Sequence, residues 1–137
     1  MQARTRCYPI GGLTPLLCLT RNAQSSVAEI GAVAMGQLLE HLRPRIRDYV
    51  TPLVAGLPRP TLTLDAHIEH ALVTVGASLA SCAATTDLAF YAWVSSTTTK
   101  AVLAQHAAYR TLLARRRSRR AQGAPGASMT ASQGRAA

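Results

Sequence analysis

The stretch VAEIGAVAMGQLLEHLRPRIRDYVTPL, residues 27–53, decides the fold. Its apolar side chains, Ile30, Met35, Leu38, Leu39, Leu42, Ile46, Val50 and Leu53, recur mostly three and four apart, the spacing of one face of an α-helix. Ser25 or Ser26 can cap its start, because a hydroxyl accepts from a first-turn N–H that has no other partner, and Glu29 stands where the acid of a capping box is wanted. Pro44 is out of place in a helix interior, where it removes a backbone bond and crowds the preceding turn at a cost of about 3 kcal/mol. The apolar spacing runs through it, so a kink is expected there and not an end.

Downstream, Gly56, Pro58 and Pro60 stop this helix and force an extended connection over residues 54–60. A second, shorter helix follows from Leu64, with Thr63 as its cap, Asp65 in its first turn, and Ile68, Leu72, Val75 and Leu79 on one face. Small residues and Thr over 81–86 make a soft break. A third helical run then covers residues 87–116 through Phe90, Trp93, Val94, Val102, Leu103, Tyr109, Leu112 and Leu113. Thr97, Thr98 and Thr99 disfavour a helix interior and leave open whether this run is one helix or two. The Gly, Ser, Gln and Pro that follow cannot bury enough surface to offset ordering entropy, so residues 114–137 are expected to form a basic, disordered tail.

Fifteen Lys and Arg against six Asp and Glu give a net charge of +9. Such a surplus on a small chain points to a polyanion, nucleic acid or an anionic membrane surface. All the basic residues but Lys100 are arginine, whose planar fork meets phosphate oxygens bidentately, although a GC-rich genome favours arginine codons as well. Cys7, Cys18 and Cys82 lack metal-ligand spacing and read as reduced, mostly buried side chains. Upstream, residues 13–19 are apolar and the first 28 residues contain no acid, but Pro15 and Gly11-Gly12 fit a leader peptide poorly, so a short amphipathic helix is preferred. Residues 71–86 carry no charge, yet are shorter than the roughly 20 residues that a membrane-crossing helix needs.

The order of these segments resembles the histone fold: short helix, loop, long helix, short loop, short helix. Arg59-Pro60-Thr61-Leu62-Thr63 is similar to the Arg-Ser-Thr-Ile-Thr loop of the core histone H2B family, and Ile68 to Leu72 match the Ile-x-x-Ala-Val pattern of its next helix. Ser25-Ser26 resembles the opening of the family's long helix, and Tyr91 to Ser96 resembles the Tyr-Thr-Ser-Ser end of its C-terminal helix. The resemblance covers roughly residues 13–100. It implies an all-α histone fold over residues 13–113, with an additional C-terminal helix and a short extension over 1–12.

The resemblance further implies a heterodimer with a 2A-type histone, in which the two long helices cross in a handshake through Met35, Leu38, Leu39, Leu42, Ile46, Ile68 and Leu72, and a monomer unstable alone. With other core histones in an octamer, the dimer would wrap double-stranded DNA in the nucleus, or in a virion and host nucleus if a virus with a GC-rich genome carries the chain. Arg59 and Thr61 match the second-loop DNA contacts, Arg21, Ser25 and Ser26 lie in the first-loop region, and Arg4 or Arg6 could reach DNA from before the first helix. Contacts of this kind carry no base code, so recognition would be sequence-independent and salt-sensitive. Arg43, Arg45 and Arg47 suit a solvated or partner-facing helix surface better than DNA.

The chain also departs from the family. Its basic run, Arg115, Arg116, Arg117, Arg119 and Arg120, lies near the C-terminus and suits a localisation signal, a linker-DNA contact or a merely solvated charge run. Of the family's acidic patch, Asp87 alone has a counterpart. No glycine-rich phosphate loop, nucleophile elbow or pair of carboxylates points to catalysis, a small-molecule substrate or a cofactor. His67 and His70 with Asp65 have a metal-compatible spacing, against which stands the plainer reading of all four histidines as surface groups. The competing class is an organelle-targeted or membrane-associated helical protein, with residues 1–26 as presequence and 71–113 as hydrophobic helices. A third is an RNA-binding or structural viral protein, disfavoured by the low aromatic content.

Overall fold

The computed structural model describes residues 14–25 and 28–123. Among them are four α-helices and no strand: α1 (Pro15–Ala23), α2 (Ala28–Ala55), α3 (Leu64–Ser78) and α4 (Asp87–Gly123), with a single 3₁₀ turn, Leu79–Ser81, after α3. The chain is all-α, as its periodicity predicts.

Each helix begins where side-chain chemistry lets it. The Thr14 hydroxyl accepts from the Leu17 N–H at 3.2 Å ahead of Pro15, which is preset for a first turn. Thr63 accepts from the Ala66 N–H at 3.1 Å, the cap expected from sequence, and Thr86 does the same for Ala89 at 3.1 Å. Ser26 lies outside the described residues. Ser25 closes the α1–α2 turn, its N–H donating to the Asn22 carbonyl at 3.0 Å, and its own carbonyl would stand 3.1 Å from a Cβ at Gly31. Only glycine admits that approach without a shift.

α2 runs through both Pro44 and Pro52. Both rings sit on the solvent side, while Ala34, Leu38, Leu42, Ile46 and Val50 form a stripe four apart with no exposed surface. Burial of that stripe outweighs the backbone bond lost at each proline. α3 lies antiparallel to α2: Arg43 pairs with Glu69, and one turn further along α2 Arg47 meets Asp65, one turn back along α3, at 3.7 Å. α4 packs against both and completes the core with Phe90, Val94 and Val102, while α1 covers the first half of α2 with Leu17.

The structure decides one open point and corrects one expectation. The run after Asp87 is one helix, because Thr98 is buried in the core and Thr99 returns its hydroxyl to the Ser95 carbonyl at 2.9 Å, so the threonines do not break it. Residues 114–123 are helical where disorder was expected, since Ala, Arg, Leu and Gln favour a helix even without burial; residues 124–137 lie outside the described part. The residues expected at the handshake also pack within the chain. Leu38, Leu42 and Ile46 are fully buried, Ile68 and Leu72 nearly so, and the half-buried Met35 and Leu39 close over Gly76 of α3. α4 covers part of the same core with Phe90, Val94 and Val102.

Leu42→Ala should therefore lower the stability of the isolated chain by about 2–5 kcal/mol in urea unfolding, whereas Ile30→Ala on the exposed side of the same helix should change it by no more than about 0.5 kcal/mol. Equal effects would contradict this core.

Candidate nucleic-acid interface

α4 does not stop where its packing stops. His106 is its last buried residue, yet the helix continues over residues 107–123, roughly 25 Å at 1.5 Å per residue. Tyr109 and Leu113 are half-buried; Arg110, Arg115, Arg116, Arg117, Arg119 and Arg120 are exposed. No acid follows Asp87 in the sequence, so nothing along this arm neutralises them. The arginines spread around more than half of the helix circumference and leave one flank free of charge. Pairs three and four apart, such as Arg115 with Arg119 and Arg116 with Arg120, repel one another by a few tenths of a kcal/mol each, partly offset by the favourable placement of cations near a helix C-terminus.

The root of the arm is fixed to the α2–α3 loop. One guanidinium nitrogen of Arg110 donates to the carbonyls of Arg59 at 3.0 Å and Pro58 at 3.4 Å. Arg59, exposed and joined to Pro60 by a cis peptide bond, is thereby set beside the arm, with Thr61 half-buried next to it. Two features singled out separately in the sequence, the loop arginine and the C-terminal run, are one continuous basic surface.

The other expected contacts lie elsewhere. Arg4, Arg6 and Ser26 fall outside the described residues, and Ser25 is half-buried in the α1–α2 turn. Arg21 is engaged in the fold: its guanidinium donates to the Gln24 side chain at 3.1 Å and to the Ala84 carbonyl at 3.0 Å. Gln24 adds bonds to the carbonyls of Leu79 and Cys82 at 2.7 and 3.0 Å, so this corner clamps the end of α1 to the segment before α4. The clamp and Arg59 sit at opposite ends of α3, roughly 20 Å apart by its fifteen residues. They do not form one surface within a single chain.

The arginines around Pro44 are helix-facing, as expected of a surface turned to a neighbour, but the neighbours are α3 and α4. Arg43 bonds Glu69 and also meets Glu40 at 3.5 Å, and the bond to Glu69 holds its guanidinium above the ordinary arginine value. Arg45 lies over the Tyr91 ring at 3.7 Å. Asp87, the one counterpart of the acidic patch, accepts a hydrogen bond from the Thr14 hydroxyl, tying α1 to α4.

The reading of all histidines as surface groups is also corrected. His67 is fully buried and His106 is 8% exposed, both at the seam between α3 and α4. The signal was present in the spacing: His67 precedes Ala71 by four and Val75 by eight, on a face otherwise apolar. Asp65 turns instead to Arg47, and no cluster of three His, Cys, Asp or Glu suits a metal among the described residues. Nor is any described helix long and apolar enough to cross a membrane. No protein-family model, curated protein or solved structure matches the chain.

Because repulsion among its arginines opposes the arm, raising salt from about 0.01 to about 1 M, which shortens the screening length from about 30 to about 3 Å, should increase helix content in far-ultraviolet circular dichroism. A variant with Gln at the five positions of the run should show no such gain.

Proposed function

We propose that this protein binds double-stranded DNA through its phosphates, without reading the base sequence, and that the free-standing end of α4 is the binding element. The observation that carries this reading is an acid-free helix extended past the core with six exposed arginines, Arg110 among them, joined at its root to Arg59. A bare helix fits the major groove, which is about 12 Å wide, and arginines spread around more than half of it can reach phosphates of both strands. Arginine in a major groove can also fork to guanine, so equal affinity for AT-rich and GC-rich duplexes is the outcome that supports binding by phosphates alone.

A finer reading is a histone-like packaging protein that pairs with a 2A-type histone, joins other core histones and acts in the nucleus or a virion. It is favoured by the short–long–short helix order and by the Thr63-capped loop that presents Arg59. In it α4 is the additional C-terminal helix, and α2 would meet a second chain on surface that α1, α3 and α4 leave open. Co-expression with 2A-type histones separates the two readings: a stoichiometric complex supports the heterodimer, and a monomer that binds DNA supports the simpler reading.

Each phosphate contact contributes about 0.9 to the slope of log affinity against log salt on duplex DNA. Replacing Arg115, Arg116, Arg117, Arg119 and Arg120 together by Gln should flatten that slope by about 3–4, equally on AT-rich and GC-rich duplexes. An unchanged slope in a binding titration would remove the arm from the interface.

A further inference from the structure

The α3–α4 seam contains polar side chains that a helical core ordinarily excludes. His67 is fully buried, and neither of its ring nitrogens has a hydrogen-bond partner. His106 is buried with both nitrogens equally unpaired, and Thr98 Oγ1 and Gln105 Oε1 are enclosed without partners on the same helix. Unpaired buried polar atoms weaken a fold, and leucine at either histidine position would carry no such cost. What imidazole has and leucine lacks is a charge that can be switched on near neutral pH.

The surroundings oppose that charge. Burial pushes the His67 ring below the ordinary histidine range, against a smaller opposing pull from the Gln105 side chain, and the imidazoles of His106 and His70 push it lower again. No carboxylate compensates. The acids of α3, Asp65 and Glu69, are exposed and taken by Arg47 and Arg43 of α2. Asp48 of α2 lines a separate cleft with His41, Arg45, Tyr49 and Tyr91. On α4 the charged groups flanking the seam are Lys100 and Arg110, both cations and both exposed.

We propose that the seam is an acid-released latch: protonation of His67, enclosed beside His106, drives α4 away from α3 while α1 and α2 stay packed. The proposal does not depend on DNA binding. An opened His67 takes up a proton near pH 6.5 and the closed one only below that, so in between the open form holds more protons. The seam is at full strength above about pH 6.5 and loses strength as pH falls through that value toward the lowered one. With this one proton taken up, the opening constant rises by up to about tenfold per pH unit.

Amide hydrogen exchange of the full chain at about pH 7.5 and about pH 5.5, corrected for intrinsic rates, reads this directly. Residues 64–78 and 94–109 should lose protection by about tenfold or more, while residues 34–50 keep theirs, and His67→Gln with His106→Gln should abolish the difference. His41→Gln should leave it intact. Equal loss along the whole chain, unchanged protection at the seam, or the same response in the double variant would overturn the latch. Should the double variant not fold, proton titration of the His67 ring by NMR in the unmodified chain decides: a midpoint at or above the ordinary histidine value also overturns it.

Discussion

Everything in this molecule is arranged around one buried stripe, Ala34, Leu38, Leu42, Ile46 and Val50, on a helix interrupted by two prolines. A helix of this length with so much apolar surface must be covered on one whole side, and no single short helix can do it. α1 covers the first turns, α3 runs back along the stripe, and α4 closes what remains with Phe90, Val94 and Val102. The proline sites are tolerated because the bonds they remove lie on the uncovered side, where water can serve the freed carbonyls. The ion pairs from Arg43 and Arg47 to α3 are exposed and add register more than stability.

The elements were legible in the sequence to the extent that local chemistry determined them. Thr63 as a cap, the stop at Gly56, the break after Ser81 and the apolar face of α2 all follow from rules that act within a few residues. The pairing of faces does not follow from such rules. The periodicity of Leu38, Leu42 and Ile46 says that the stripe is buried; it does not say whether the covering helix belongs to the same chain or another, and the segment resemblance favoured another. In the same way the arginine run was visible as charge, but its helicity depended on weighing propensity against the loss of apolar residues. Its junction with Arg59 depended on one long-range bond from Arg110 that no local pattern encodes.

Charge and packing are divided between the two halves of α4. The first half is held by core contacts and by Asp87 at its start; the second is mostly arginine, alanine and leucine, with Tyr109, Thr111, Ser118 and Gln122 among them. A helix that is fixed at one end and bare at the other presents its cations at a defined angle to the body without stiff contacts of its own. Neutralising those cations removes the repulsion that opposes the free half, so an anion bound there would reinforce the helix that binds it.

The position of α4 in the chain bears on how the protein is made. α2 and α3 emerge from the ribosome before Phe90, Val94 and Val102 do, and at roughly 5–20 residues per second the interval between the emergence of Val75 and of Val102 lasts on the order of one to five seconds. During that time the nascent protein holds a long apolar stripe with its largest covering element missing. The segment that ends this exposure is also the one bearing the arginines, so a ribosome that stalls before residue 102 releases a chain lacking both its closure and its charge, one prone to aggregate.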